Sequence, residues 1–381
     1  MTFVIGRGES DSRDLSEGDE GREMVDTEAS AKNHEKPTGR LGRYRALDGS
    51  DGAALYLDLD HPHAILVVGK RGYGKSFTLG VIAEELARTD GVAPVVVDPM
   101  GVFTTLAQDA VGDSVPAAII DHPTIEPNSL DPQSWCSLLD LSPESGAGSL
   151  VWRAAREEST LCDMKTYVRE TDAPGDDRRA AVNHLVLAEG WDIFDPGGLD
   201  AQALAGNEVT VLDVSGLDSA PMNAVCRGVC ETLYHARIRR QIRHLPWVLV
   251  DEAHTFFEGL ADAALKLVLT RGRAPGVSLV TATQRPSALP AVAISQSDVL
   301  LSHRLTSQDD LQALVHAQPT YLDASLEDRM PTEPGEVTIV DDSTETVHAA
   351  RIRPRDTPHG GDSPGVSEII TSSGAHNYQG Q

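Results

Sequence analysis

Apolar and polar positions change rhythm along the chain, and each rhythm predicts a different element. In AALYLDLD, Leu55, Leu57 and Leu59 alternate with other residues, the period of a strand with one buried side. An unbroken apolar run, AILVV (64–68), follows and reads as a buried strand. KSFTLGVIAEELART after it has helical character, and APVVVD, ending at Asp98, is a second buried strand. AAII (117–120) predicts a further short strand.

Between about 126 and 205 the pattern becomes helical. SLVWRAAREE, LCDMKTYVRE and DRRAAVNHLVLAEGW are separated by the breakers SPESGAG and DAPGD. Strand signals resume with EVTVLDVSG, followed by a long helix over about 220–243. Then come WVLVDEA (strand), DAALKLVLTRG (helix) and VSLVTATQ (strand). VLLSHRL, EVTIVDD and ETVHAARIR read as late strands, with a short helix in SQDDLQALVHA. Buried apolar runs alternating with helices predict an α/β fold with a mostly parallel sheet, whose chemistry gathers at the carboxyl ends of the strands. The expected organisation is an unstructured acidic segment (1–40), the first part of the core (41–125), a helical insertion (126–205), the second part of the core (206–353) and an unstructured tail (354–381).

Composition adds constraints. The 381 residues carry 32 Lys+Arg against 58 Asp+Glu, a formal charge of −26. Lysine occurs only at Lys32, Lys36, Lys70, Lys75, Lys165 and Lys266. A self-repelling surface of this kind is screened by salt, and the composition resembles that of proteins from salt-loving archaea. The same charge argues against generic adhesion to DNA, which needs many cationic phosphate contacts, so any such contact requires a local basic patch. The densest basic run is HARIRRQIRH, with Arg237, Arg239, Arg240 and Arg243. It reads either as a phosphate-tracking stripe or as cations placed at a helix carboxyl end. Of the four cysteines, Cys226 and Cys230 share one face of the long helix and read as core thiols, with no zinc-type spacing. With no signal-peptide or membrane-length apolar run, the chain is expected to be soluble and cytoplasmic, without membrane association.

Candidate chemistry concentrates in two stretches. Gly69-Lys70-Arg71-Gly72-Tyr73-Gly74-Lys75-Ser76 fits G-x-x-x-x-G-K-[ST] between a predicted strand and a predicted helix. Glycines let backbone N–H groups converge on a phosphate, and the helix start adds its positive end. Lys75 is expected on the β- and γ-phosphates and Ser76 on Mg²⁺, with Phe77 completing the nucleotide contacts. WVLVDEAH then ends an apolar strand with Asp251, positioned to hold Mg²⁺, and Glu252, positioned to orient and deprotonate water. A guanine-reading N-K-x-D element is missing, which points to ATP. Asp98 reads either as part of that crevice or as a turn aspartate before Pro99. His63 reads either as a residue near the nucleotide or, the preferred reading, as a strand-opening histidine satisfied by backbone groups.

Taken together, HAILVVGKRGYGKS, VVVDPMGVF, VLVDEAH and TRGRAPGVSLVTATQRPSALPAVAISQSDVLLSHRL resemble the HerA–FtsK superfamily of ring-forming P-loop ATPases, particularly its archaeal HerA-like branch. The resemblance covers about 60–121 and 208–341. It implies a RecA-like core, ATP and Mg²⁺ as cofactors, a homo-oligomer (a hexamer) and DNA as the substance moved. It also implies that Gln284 senses the γ-phosphate and that Arg273, with Arg271 as the alternative, is an arginine finger entering a neighbouring subunit. Either arginine equally reads as a cap on the preceding helix. Arg304 is a further candidate for a nucleotide or neighbour contact. Two departures stand out: Val102 replaces the branch's usual glutamate, and the stretch before the cradle is too short and polar for the branch's amino-terminal barrel. A nuclease partner is therefore not implied. The alternative function is an ATP-dependent switch or assembly protein that controls a protein partner without moving DNA.

Overall fold

Leu66 and Val68 of the apolar run face one core, while Ile65 and Val67 face another. That period-two split makes AILVV the central strand of a sheet covered on both faces. The computed structural model describes residues 3–8, 36–46, 48–108, 114–317 and 326–361. Its strands are β1 (Phe3–Ile5), β2 (Thr38–Arg45), β3 (Asp51–Asp58), β4 (Ala64–Val68), β5 (Val92–Asp98) and β6 (Ala117–Ile120). These are followed by β7 (Val209–Asp213), β8 (Leu245–Val250), β9 (Ser278–Thr283), β10 (Val299–Ser302), β11 (Glu336–Asp341) and β12 (Thr346–Ile352).

All twelve join one sheet in the order β1-β3-β2-β12-β11-β10-β4-β9-β8-β5-β7-β6. From β10 to β6 every pairing is parallel. β11, β12, β2 and β3 continue the sheet by antiparallel pairing, and β1 closes that wing in parallel with β3. The mostly parallel α/β architecture expected from the sequence is the one observed. Every residue of β5 is buried, which is why its sequence shows no alternation.

Helix α1 (Lys75–Ala87) packs on the face that holds Leu79, Val81, Ile82 and Leu86. The opposite face takes the long helix α6 (Ser219–Ile238), with Cys226 and Cys230 buried in it as free thiols. On that side also lie α2 (Pro132–Leu138), α3 (Gly146–Glu157), α4 (Leu161–Glu170) and α5 (Gly175–Glu189). The remaining helices are α7 (His254–Phe257), α8 (Asp262–Arg271), α9 (Ala291–Ser295) and α10 (Gln308–His316). Local chemistry starts the inserted helices: the side chains of Asp131, Ser145 and Thr160 accept the backbone N–H of Ser134, Gly148 and Asp163. The insertion enters and leaves through a narrow neck, where Ile125 N–H donates to Ile193 O at 2.8 Å and Asp195 N–H to Ile125 O at 3.1 Å. Fully buried Trp135 fixes it by donating Nε1–H to Pro127 O at 3.0 Å and packing on Phe194.

Several expectations need correction. Within the supposedly unstructured 1–40 segment, Phe3–Ile5 pairs with β3 and β2 begins at Thr38, while 9–35 lie outside the described residues. Tertiary pairing, invisible to local composition, orders these stretches. Of the tail, 354–361 is packed on α1, with Arg355 and Thr357 buried, and 362–381 lie outside the described residues. The long helix stops at Ile238, not 243, because Arg240 turns into the left-handed region at φ 56°.

Candidate active site

Helix α1 lies on one face of the sheet and α6 on the other, and β4 is separated from β5, the next strand in the chain, by β9 and β8. Such an arrangement opens a crevice at the carboxyl ends of the parallel strands. The cradle sits there. Gly69, Gly72 and Gly74 take φ values of 156°, 80° and 110°. A Cβ at Gly69 would come within 2.5 Å of His303 Cβ, and one at Gly74 within 3.2 Å of the His303 ring. Glycine is therefore required at Gly74 both by its backbone conformation and by its neighbour.

His303, at the end of β10, supports the loop from beneath. Its Nε2 pairs with Thr78 Oγ1 at 2.9 Å. Burial and the Lys75 cation push its pKa down to about 3, so the ring is neutral. Lys70 N–H donates to Arg304 O at 2.8 Å, tying the loop to the same segment. Gly335 N–H donates to Tyr73 O at 3.2 Å, tying it also to the antiparallel wing. The Lys70 ammonium lies 4.3 Å from the centroid of the Tyr73 ring.

Across the crevice, β8 ends at the acidic pair. Ser76 Oγ donates to Asp251 Oδ2 at 2.8 Å. Glu252 adopts φ 45°, an uncommon conformation for a non-glycine residue, and its N–H donates to Asp251 Oδ1 at 2.9 Å. Its Oε2 is buried without a hydrogen-bond partner and lies 3.5 Å from His254 Nδ1. Gln284, just past β9, lines the same cleft as Glu252, and its amides favour the charged form of that carboxylate. Burial, then the Asp251 charge, raises the pKa of Glu252; Lys75 and Gln284 offset part of this. Burial also raises Asp251, against the Ser76 hydrogen bond, and lowers Lys75, against the two carboxylates. Lys75, Ser76, Glu252, His254 and Gln284 line one cleft of about 1020 Å³, together with Arg71, Gly72, Tyr73, Gly74 and Phe77.

The sequence thus names a set that the fold brings together: Gly69 to Phe77, Asp251, Glu252 and Gln284. Asp98 is otherwise employed. Its carboxylate accepts the N–H groups of Met100 (3.1 Å) and Phe103 (2.7 Å), the turn reading, and burial raises its pKa to about 6. His63 lies at the amino end of β4, on the rim opposite the cradle. Carboxylates hold its ring: Nδ1 is 2.9 Å from Asp298 Oδ2 and Nε2 is 3.4 Å from Asp58 Oδ2. Arg304 donates to Thr332 O at 3.3 Å. Arg237 is spent on the carbonyls of Pro275, Ile242 and Arg243 at 2.8, 3.0 and 3.0 Å, which supports the helix-end reading of that residue.

Arg271 and Arg273 are exposed and make no ion pair among the described residues. Both precede the amino end of β9, and that strand alone spans about 20 Å. They cannot reach the cradle of their own chain. His303 and His254 were missed by the sequence reading. The available signal was a polar side chain at the carboxyl end of a buried strand, which in this sheet means the crevice.

A glycine-bounded cradle opening a helix, facing an acidic strand end across one intervening strand, defines a P-loop NTPase. Residues 40–184, under half of the chain, match the family model for the central domain of the helicase HerA, which agrees with the resemblance over 60–121 and extends it into the inserted helices that the resemblance left out. The match takes in the cradle and most of the inserted helices and stops before β7. The fold is shared with VirB4 of Thermoanaerobacter pseudethanolicus: 16% identity, TM-score 0.62, covering 83% of this chain and 96% of that one. It is shared also with the bacterial conjugative coupling protein TrwBdeltaN70: 13% identity, TM-score 0.53, covering 84% and 91%. The sequence matches none of the curated proteins compared with it. No helix among the described residues is long and apolar enough to cross a membrane.

Proposed function

We propose that this chain is the ATP-hydrolysing subunit of a ring motor of the HerA–FtsK type that translocates or unwinds DNA. One observation carries the hydrolytic reading: Ser76 Oγ and Asp251 Oδ2 meet at 2.8 Å while Glu252 Oε2, which accepts no hydrogen bond, lies buried beside the same cleft. The cradle N–H groups and Lys75 take the β- and γ-phosphates. A carboxylate whose pKa is raised by burial is a stronger base than one in water, and Glu252 accepts the proton of the attacking water. Gln284, already against Glu252, positions that water at the γ-phosphate.

Ser76 and Asp251 form the kind of partial oxygen set that holds Mg²⁺ together with substrate phosphates, and no group of three or more His, Cys, Asp or Glu among the described residues forms a metal cage. When bound there, Mg²⁺ neutralises charge on the phosphate oxygens.

Exposed Arg273, with Arg271 as the alternative, supports ring assembly. An unpaired guanidinium on the rim opposite its own cradle becomes useful when a second copy presents a nucleotide to it, where it stabilises transition-state charge. The DNA reading is supported by the helicase family matched over 40–184. At a net charge of −26 the DNA contacts must be local; exposed Arg239, Arg240 and Arg243 at the end of α6 are the candidates.

The test is ATP hydrolysis in high KCl, with and without duplex DNA, on protein whose oligomeric state is measured in parallel. Rings whose turnover rises with DNA are expected. Hydrolysis indifferent to DNA would replace the motor with the partner-controlling switch. Protein that retains no ATP would overturn both.

A further inference from the structure

The buried carboxylate of Glu84, in the middle of the cradle helix, lies outside the phosphate cradle, yet among the described residues it gathers more polar partners than any other acid. Asp356 N–H donates to it at 3.0 Å, Thr357 N–H at 2.9 Å and Thr357 Oγ1 at 2.7 Å. Arg353 Nη1 adds an ion pair at 2.9 Å and Arg355 Nε another at 3.6 Å. Arg353 also pairs with Glu85 at 2.7 Å, and Arg88 with Asp356 at 2.7 Å. The segment from 353 to 361 is thus strapped across α1 by charge-assisted bonds to buried groups, which exceed surface ion pairs in strength.

Beyond its anchor the strap reaches the cleft. His359 packs edge-to-face on Phe77, ring centroids 5.6 Å apart at 64°, and Arg355 Nη1 faces His359 Nδ1 at 3.4 Å. At Gly360 an added Cβ would lie 2.7 Å from Val102 O, so the strap crosses from α1 to the loop after β5. His359, Pro354 and Ile352 line the nucleotide cleft with Phe77.

The polarity of a bound nucleotide decides what lies there. Its γ-phosphate must sit by Lys75, Glu252 and Gln284, so the α-phosphate lies toward Phe77 and the nucleoside continues past it. The cleft continues in that direction against the strap. The geometry points to a nucleobase subsite built by the strap, in which a purine stacks on the His359 imidazole backed by Phe77, with Ile352 and Pro354 as apolar walls. This rests on the nucleotide reading of the cradle and adds the group that distinguishes a nucleotide from bare phosphate.

The test compares ADP with inorganic pyrophosphate, each with Mg²⁺, by calorimetric titration of the full chain. Base–aromatic stacking is worth about 1–3 kcal/mol, so His359→Ala should weaken ADP about tenfold and leave pyrophosphate unchanged. Unchanged pyrophosphate affinity also shows that the variant is folded. His359→Phe should restore ADP, and Thr357→Val, which removes a strap anchor, should lower ADP selectively. Lys75→Ala should weaken both ligands. If His359→Ala affects the two ligands equally, or neither, while Lys75→Ala weakens both, the subsite is refuted and the cradle stands. If the unaltered protein binds neither ligand, the cradle reading falls and the subsite with it.

Discussion

His63 is held between Asp298 and Asp58, and the stability this arrangement supplies depends on pH. Burial alone would lower the His63 pKa, but its partners Asp298 and Asp58 outweigh that and raise it to about 9, against 6.5 for a free histidine. Asp58 in turn is desolvated, yet hydrogen bonds from His63, His61 and Arg7 hold it well below the usual carboxylate range. A histidine raised on folding contributes stability that is complete below pH 6.5 and is lost as pH rises through 9. At 1.36 kcal/mol per pH unit the loss is about 3 kcal/mol. The assay is urea unfolding in constant KCl at pH 6 and pH 9.5, followed by tryptophan fluorescence. Trp247 is a built-in reporter, fully buried with its ring centroid 5.9 Å from that of His63. The unaltered protein should lose about 3 kcal/mol more than His63→Gln between the two pH values. His63→Gln, which cannot titrate, should be destabilised at pH 6 and lose little more on going to pH 9.5. Equal losses in both proteins would refute the idea that the imidazolium is held between two carboxylates.

Other outcomes bear on the site itself. Glu252→Gln should bind ATP with near-normal affinity while turnover, measured by phosphate release, falls about 10²- to 10⁴-fold; an unchanged rate removes Glu252 as the base. Arg273→Ala should cut hydrolysis about 10³-fold or more, as loss of an arginine finger does. Its activity should recover partly in mixed assemblies with Lys75→Ala subunits, and a failure of mixing to restore any rate argues against action between subunits. Gly74→Ala forces a side chain into φ 110° against His303, costing about 1–3 kcal/mol. Nucleotide affinity should fall while the inserted helices stay folded, as read by hydrogen exchange.

The site was legible in the sequence where its parts are contiguous. The cradle and the acidic pair each need neighbouring residues on one turn, so 69–77 and 251–252 could be read as strings. The parallel sheet was legible for a related reason, since runs such as 92–98 are apolar on both faces. What escaped reading depends on pairing at a distance. β2 in TGRLGRYR has too few apolar positions to announce a strand and is ordered by β3 and β12. His303 and the strap at 353–361 acquire meaning only once β10 lies beside β4 and Glu84 is buried. His63 was placed correctly as a strand opener, but its carboxylate partners come from residues 58 and 298, which no local reading joins.

Gln284 and Arg273 stand at opposite ends of β9, a six-residue strand hydrogen-bonded to a parallel neighbour on either side. In an assembled ring one end of that strand would touch the subunit's own terminal phosphate and the other would face the next subunit's. No hinge or flexible relay is then needed to order firing around the circle. In such a ring, a push on one tip would be felt at the other, and the state of each chamber would bias its neighbour.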